Sequence, residues 1–324
     1  MTATMPCQVC GGTAFADLYA VTDTNQDVPG CWTIAGCAAC GLGRLSPMPT
    51  PDEIGGFYRD VFYAEDGRRF RPWMEDLRER LAGLRGRRLR RLMAPGRLLD
   101  YGAGAGHFVA ALRRAGWDAS GFEPFNTATG GTGAADTAGT RLACPDGHYD
   151  AITLWYVIEH LADPRGAIRE FHRALRPGGL LVLSQQDFAS VQARVFRGRW
   201  LFLDPPRHLF QFSPATLTRM AAEEGFRLKA RSSASLEMGP FTILQSLLNV
   251  LTGNRNHLFR FLKSRRLAAQ ARGRDALGLV ASLLLLPVLA PLSLALYFGL
   301  LAFGSGDVFT LYLERLPDER TPAR

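Results

Sequence analysis

The chain has 324 residues, 47% of them hydrophobic, and a formal net charge of +8 at pH 7. That length and apolar content provide for one large or two small domains with a sizeable core. The positive charge suits phosphates or an anionic membrane surface, but no nucleic-acid recognition motif accompanies it, so no nucleic-acid partner is expected. The opening Met1-Thr2-Ala3-Thr4-Met5-Pro6-Cys7 lacks the basic and apolar regions of a secretory leader, which points to a cytosolic catalytic part.

In chain order, the first signal is a pair of C-x-x-C-G knuckles, Cys7-Gln8-Val9-Cys10-Gly11 and Cys37-Ala38-Ala39-Cys40-Gly41, with twenty-six residues between them. Each pair can present two thiolates to one ion, and four thiolates in a tetrahedron form a closed structural zinc site. Redox pairs are the competing reading, and the duplication favours zinc. Cys31 and Cys144 are expected as buried small apolar residues. A Pro-rich crossing (Pro47, Pro49, Pro51) and an aromatic stretch (Phe57, Tyr58, Phe62, Tyr63) follow. Ten arginines between Arg68 and Arg91 face only Glu75, Asp76 and Glu79. They form either a solvated helix face or a surface for phosphates.

An apolar run then enters Asp100-Tyr101-Gly102-Ala103-Gly104-Ala105-Gly106, and a helix is expected from Val109 to Arg114. Strand, glycine turn and helix in this order make a nucleotide-type site in an open α/β sheet. The spacing fails the dinucleotide pattern G-x-G-x-x-G, because its last position falls on His107. Seventeen residues after Gly106 stands Glu123, at the tip of a second short strand, where a carboxylate can accept both ribose hydroxyls. Residues 126–139 are rich in Gly, Thr and Ala and short of helix signal. Tyr149 to Trp155 reads as a buried strand, running into Glu159-His160-Leu161-Ala162-Asp163-Pro164. A Leu175-Arg176-Pro177-Gly178-Gly179 turn precedes a strand from Leu180 to Ser184.

These blocks, in this order over Arg97 to Ser184, resemble class I S-adenosylmethionine-dependent methyltransferases. The resemblance implies an α/β fold: a Rossmann-like methyltransferase sheet, mostly parallel, with its last strand antiparallel. It implies S-adenosylmethionine as cofactor, held by Asp100, Tyr101, Gly102, Ala103, Gly104, Gly106, Glu123 and Trp155, the last bordering the methionine or acceptor side. The cysteine knuckles and the Tyr-rich stretch resemble bacterial methyltransferases that carry a zinc ribbon ahead of the catalytic domain, with Tyr58 and Tyr63 as lid candidates. Some of those relatives C-methylate nucleotide sugars but carry a long extra C-terminal domain that this chain lacks. In the family, a loop like Pro205-Pro206-Arg207-His208-Leu209-Phe210-Gln211-Phe212-Ser213 covers the active site. That makes His208 a candidate for proton handling or substrate positioning, with Glu159 and His160 beside it. Some quinone O-methyltransferases hold a metal on E-x-x-E-H; here Tyr156 replaces the first acid, which argues against copying that site. Two departures concern the adenine side: Asp146 is a weak adenine candidate, and Gln185-Gln186-Asp187 replaces the frequent T-P-N.

Ala276 to Phe303 is 28 residues without a charge, enough to span a bilayer, and Arg255 to Arg274 before it is basic. Pro287 and Pro291 interrupt the run. Arg227 to Ser232 resembles the family's sixth strand, and Val308 to Leu313 reads as the seventh, which must return to the same sheet. The insert must therefore enter and leave on one side. The expectation is a shallow hairpin of two helices of about eleven residues, roughly 16 Å each, bent near Pro287 and Pro291, monotopic or re-entrant. A buried helical pair or a dimer interface is the alternative.

The expected organisation is a zinc ribbon (1–48), a helical linker or lid (49–92), a methyltransferase core (93–235 plus 305–316) and a basic, apolar membrane-associating insert (236–304). The expected activity is methyl transfer to a lipid or lipid-linked acceptor, sugar-like or quinone-like, at the cytosolic membrane face. The alternatives are a soluble methyltransferase of nucleotide-linked sugars and a non-catalytic cofactor-binding module, and an oligomer is compatible with each.

Overall fold

A computed structural model describes residues 5–57, 80, 83–123, 142–235, 238–263 and 273–317. The lid candidates Tyr58 and Tyr63, the segment 126–139 and most of the arginine-rich stretch lie outside them.

Among the described residues the central sheet has six strands. They are β4 (Arg97–Tyr101), β5 (Asp118–Phe122), β6 (Tyr149–Trp155), β7 (Leu175–Gln186), β9 (Phe226–Ser232) and β10 (Val308–Arg315), in spatial order β5-β4-β6-β7-β10-β9. β5, β4, β6 and β7 are parallel, and β10 is antiparallel to both of its neighbours. The expected sheet with an antiparallel closing strand is therefore present. Alternation within strands loads both faces. Leu99, Ile152, Leu154, Leu181, Leu183, Phe309 and Leu311 pack on one side with Ile168, Phe171 and Leu217. Leu98, Ala151, Val182 and Tyr312 pack on the other with Phe108, Val109 and Leu112.

The helices that cover these faces are bounded by ordinary local chemistry. Helix α2 (His107–Arg114) follows α1 (Pro51–Gly56) and begins at Gly106, whose left-handed φ of +77° turns the chain. Asp163 caps α3 (Pro164–Ala174) by accepting from the Gly166 N–H, with Pro164 at the first helical position. Ser213 and Thr216 form a reciprocal cap on α5 (Pro214–Glu223), which follows the short α4 (Val191–Phe196).

A second, antiparallel sheet joins the N-terminal segment to the core. Its strands are β1 (Phe15–Val21), β2 (Trp32–Cys37), β3 (Gly43–Ser46) and β8 (Phe210–Gln211). β8 comes from the Pro205–Ser213 loop and pairs Gly43 with Gln211 and Arg44 with Phe210. Cys7, Val9, Cys37 and Leu42 are buried in the same cluster as Leu209, Phe210 and Phe212. Cys31 is exposed and Cys144 half-buried, so neither is the buried filler that the sequence suggested.

Between β9 and β10 lie α6 (Gly239–Thr252), α7 (His257–Lys263) and α8 (Arg274–Ala302). The expected division into two short helices at Pro287 and Pro291 is not there: α8 is one helix of 29 residues with both prolines inside it. At 1.5 Å per residue it is about 43 Å long. The helical hairpin does exist, but its two arms are α6 and α8. Ser235 at the root of α6 meets Tyr297, and Thr252 at its tip meets Ser282. The buried stripe Gly278, Ser282, Leu289, Ser293 and Tyr297 packs α8 against the rest of the protein. Packing along both halves offsets the two missing N–H groups, and the Ser293 hydroxyl donates to the Ala290 carbonyl at 2.8 Å. The insert enters and leaves on one side, as the sheet topology demands.

Candidate functional site

The glycine loop sits at the carboxyl end of β4, where open α/β sheets bind ligands. The N–H groups of Gly102 and Ala103 both donate to the Phe122 carbonyl, at 2.7 and 3.0 Å, which ties the loop to β5. Gly102 has φ +80°, and a Cβ there would lie 2.4 Å from Val157 Cγ2. Only glycine fits. At Gly106 a Cβ would meet nothing within 4 Å, so the space before the helix start is open.

Acidic groups converge on this loop. Glu123, just past β5, accepts from the Gly104 N–H at 3.0 Å. Asp100 is buried and accepts from the Thr153 hydroxyl at 2.6 Å. Burial lifts its pKa to about 7, against the pull of Thr153 and Arg85, and Glu123 adds to the rise. Tyr101 turns its ring into the core against Phe122 and Phe171, with centroids at 4.9 and 5.1 Å. Ala103 packs beside Phe108 and Trp155. Trp155 stands edge-on to Phe108 at 5.4 Å, and the Arg85 guanidinium lies 4.6 Å from its ring centroid. Asp146, the weak adenine candidate, is exposed and salt-bridged to Arg173 at 2.6 Å.

Beyond β6, Tyr156 adopts φ +60° and stacks on Phe202, with centroids 6.5 Å apart. The 3-10 turn Ile158–His160 then brings Glu159 and His160 against the Pro205–Ser213 loop. Glu159 is fully buried. His160 Nδ1 donates to the Arg207 carbonyl at 2.9 Å, and His208 Nδ1 to the Phe202 carbonyl at 2.8 Å. A carbonyl can only accept, so these contacts assign the Nδ1–H form to both rings. The rings are 4.7 Å apart, and His208 Nε2 lies 3.9 Å from Glu159 Oε1. The three residues picked out in the sequence thus form one cluster from two distant segments.

The loop is anchored by a group the sequence did not reveal. Arg207 is fully buried and donates to Asp23 at 2.8 and 3.0 Å and to Asp204. Its guanidinium holds the Asp204 carboxyl well below the usual carboxylate range, although burial alone would raise it. Asp204 also accepts from Asn25 at 2.6 Å. Asp23 and Arg207 lie 184 positions apart, and no local pattern links them.

The four knuckle cysteines meet. Cys7 Sγ lies 3.5 Å from Cys40 Sγ and Cys10 Sγ 3.6 Å from Cys37 Sγ. These separations are far from a disulfide and near the ~3.8 Å edge of a sulfur tetrahedron with arms of about 2.3 Å. The cluster is a fitting donor set for one tetrahedral metal ion.

Comparison with known proteins gives the following. The family described as "Methyltransferase domain" matches residues 69–230. Uncharacterized methyltransferases of Mycobacterium sp. strains JLS and KMS are each 38% identical over 94 residues, covering 27% of this chain and 37% of theirs. The matched stretch thus spans little more than a third of the length of these curated relatives. Among solved structures, the [4+2]-cyclase SpnF is 18% identical with a TM-score of 0.49, covering 84% of this chain and 98% of that one. A S-adenosylmethionine-dependent methyltransferase from Thermotoga maritima is 25% identical with a TM-score of 0.38, covering 47% and 74%.

Proposed function

We propose that this chain, which belongs to the methyltransferase-domain family matched over half of its length, is a class I S-adenosylmethionine-dependent methyltransferase whose acceptor is a lipid or lipid-linked molecule met at the cytosolic face of a membrane. The observation that carries this reading is the outer face of α8. Leu277, Val280, Leu284, Val288, Leu292, Leu296 and Phe298 are all exposed along it, Leu284 at 75% and Val288 at 67%. A continuous apolar face of this length is foreign to a soluble surface. Of the described residues, α8 alone forms a helix long and apolar enough to cross a membrane. Yet both of its ends are tied to one body. Asp275 pairs with Arg255, which pairs with Asp27, while Tyr297 accepts from the Ser235 N–H. A span would break one set of ties, whereas a helix lying in the interface keeps both.

When bound, the methyl donor supplies an electrophilic methyl group on a sulfonium. Gly102, Gly104 and Gly106 admit it to the backbone, Glu123 accepts its ribose hydroxyls, and Trp155 borders its reactive end. Methyl transfer needs chiefly alignment of nucleophile and methyl. His208, whose Nε2 faces Glu159 at 3.9 Å, is the proton-handling group for the acceptor, with His160 bracing the loop. Cys7, Cys10, Cys37 and Cys40 hold a structural zinc ion.

The deciding experiment is membrane partition of the full chain and of a variant lacking residues 276–303. The full chain should sediment with membranes and need detergent for release, and the deletion should weaken this. A full chain that remains soluble without detergent overturns the membrane reading. An Arg324 tag protected on the far side would replace the interfacial helix with a span.

A further inference from the structure

The carboxyl end of the sheet holds buried polar groups that neither the methyl-donor cradle nor the histidine cluster uses. Asp307, at the start of β10, is fully buried, and neither carboxylate oxygen has a hydrogen-bond partner among the described residues. Gln192, in the first turn of α4, is 3% exposed, and both of its amide atoms are likewise unpartnered. Gln185 Oε1 on β7 is a third such atom. An orphaned buried polar atom is costly and calls for an explanation. Gln192 and Thr242 approach the Asp307 carboxyl closely enough to pull its pKa down, without reaching hydrogen-bond geometry, and burial still leaves it at about 6.

Their place in the fold gives them a purpose. Gln186 pairs with Val308, and Ser184 pairs with Trp155 across the sheet. Asp307 therefore stands two to three residues beyond the tip of β6, at the same end as the glycine loop but over β7 and β10. Thr242 places the root of the α6–α8 hairpin at the same spot. Building on the lipid-acceptor reading above, we infer that Asp307 and Gln192 form a head-group subsite that takes the hydroxyls of a glycosyl or polyol acceptor, whose apolar tail leaves along the hairpin.

The chemistry selects hydroxyls over the other heads. Asp307 and Gln185 Oε1 call for donors, while Gln192 calls for a donor and an acceptor together. A hydroxyl supplies both roles, whereas an ammonium supplies only donors. A phosphate or carboxylate head would be repelled by Asp307 and by Asp187, whose carboxyl neighbours it. A quinone ring offers carbonyl acceptors that leave the carboxylate unmet.

The test uses the full chain loaded with S-adenosylhomocysteine and three probes with one tail: n-octyl glucoside, n-octylammonium and n-octyl phosphate, each below micelle formation. Titration calorimetry should show the glucoside binding at least tenfold more tightly than the other two. Asp307→Asn and, separately, Gln192→Met should each weaken the glucoside at least tenfold. S-adenosylhomocysteine affinity should not change, and the melting temperature should not fall, because Asp307→Asn removes a buried charge and Gln192→Met removes two unmet polar atoms. Equal binding of the three heads, no binding of the glucoside, or wild-type glucoside affinity in either variant overturns the subsite. If Asp307→Asn does not fold, Gln192→Met decides alone. S-adenosylhomocysteine affinity and membrane partition in the same preparation report separately on the methyltransferase and membrane readings.

Discussion

Glu123 carries the most legible assignment in the chain, because a carboxylate at a strand tip beside a glycine turn is a local pattern. Its contact with the Gly104 N–H places it on the glycine loop. Glu123→Ala should raise the Kd for S-adenosylmethionine at least tenfold in titration calorimetry, and unchanged binding would remove Glu123 from the cradle. Asp100 was legible as part of the same motif, but its protonation was not, since that depends on burial and on Thr153 fifty-three positions away. With its pKa raised to about 7, Asp100 is partly protonated at neutral pH, and a cationic donor on the loop favours the carboxylate. Binding then expels a proton, so donor affinity should strengthen as pH rises from 6 to 8, and Asp100→Asn should flatten that profile. Arg207 was invisible for a different reason: its partner Asp23 is remote in sequence. Arg207→Met would leave Asp23 and Asp204 as uncompensated buried charges, at a cost of about 3–5 kcal/mol in denaturant unfolding. The depressed Asp204 carboxyl adds stability that is present above its ordinary pKa of about 4 and lost as pH falls below it.

Among the elements, β4, β6 and the Leu180–Ser184 part of β7 were readable because each is an apolar run, whereas β5 was placed only by the acid at its tip. The insert was only half readable. Its return to the sheet followed from topology, but α6 escaped notice and the two prolines suggested a break. A proline weakens a helix by roughly 3 kcal/mol in isolation, yet α8 is held along its length by a neighbour that periodicity alone does not reveal. The seam relies on small residues: a Cβ at Gly278 would come within 2.2 Å of His257 Nε2. Gly278→Val should push α7 away and cost roughly 1–3 kcal/mol by overpacking. Faster proteolysis near residues 253–263 would report it, with donor binding retained. β8 was not foreseeable, since two residues give no pattern to read.

For the whole molecule, β8 joins the cysteine-bearing segment to the Pro205–Ser213 loop in one sheet. Removing the proposed metal ion should therefore do more than loosen the N-terminus. Four thiolates freed by a chelator leave β1, β2 and β3 without their anchor, and the sheet they share with Phe210 and Gln211 should fail with them. The expected result is a lower melting temperature and a loss of glucoside binding, both restored by zinc. Removal that left both unchanged would show that the cysteines serve no structural ion. The placement of β10 has a consequence for synthesis. This last strand lies between β7 and β9, so the sheet stays divided, with two open hydrogen-bonding edges, until residues 308–315 have left the ribosome. By then α6 and α8 have already emerged, so on the membrane reading proposed above the apolar insert would meet a bilayer while the sheet is still unfinished. The order of translation would then bring the protein to its surface before its fold is closed.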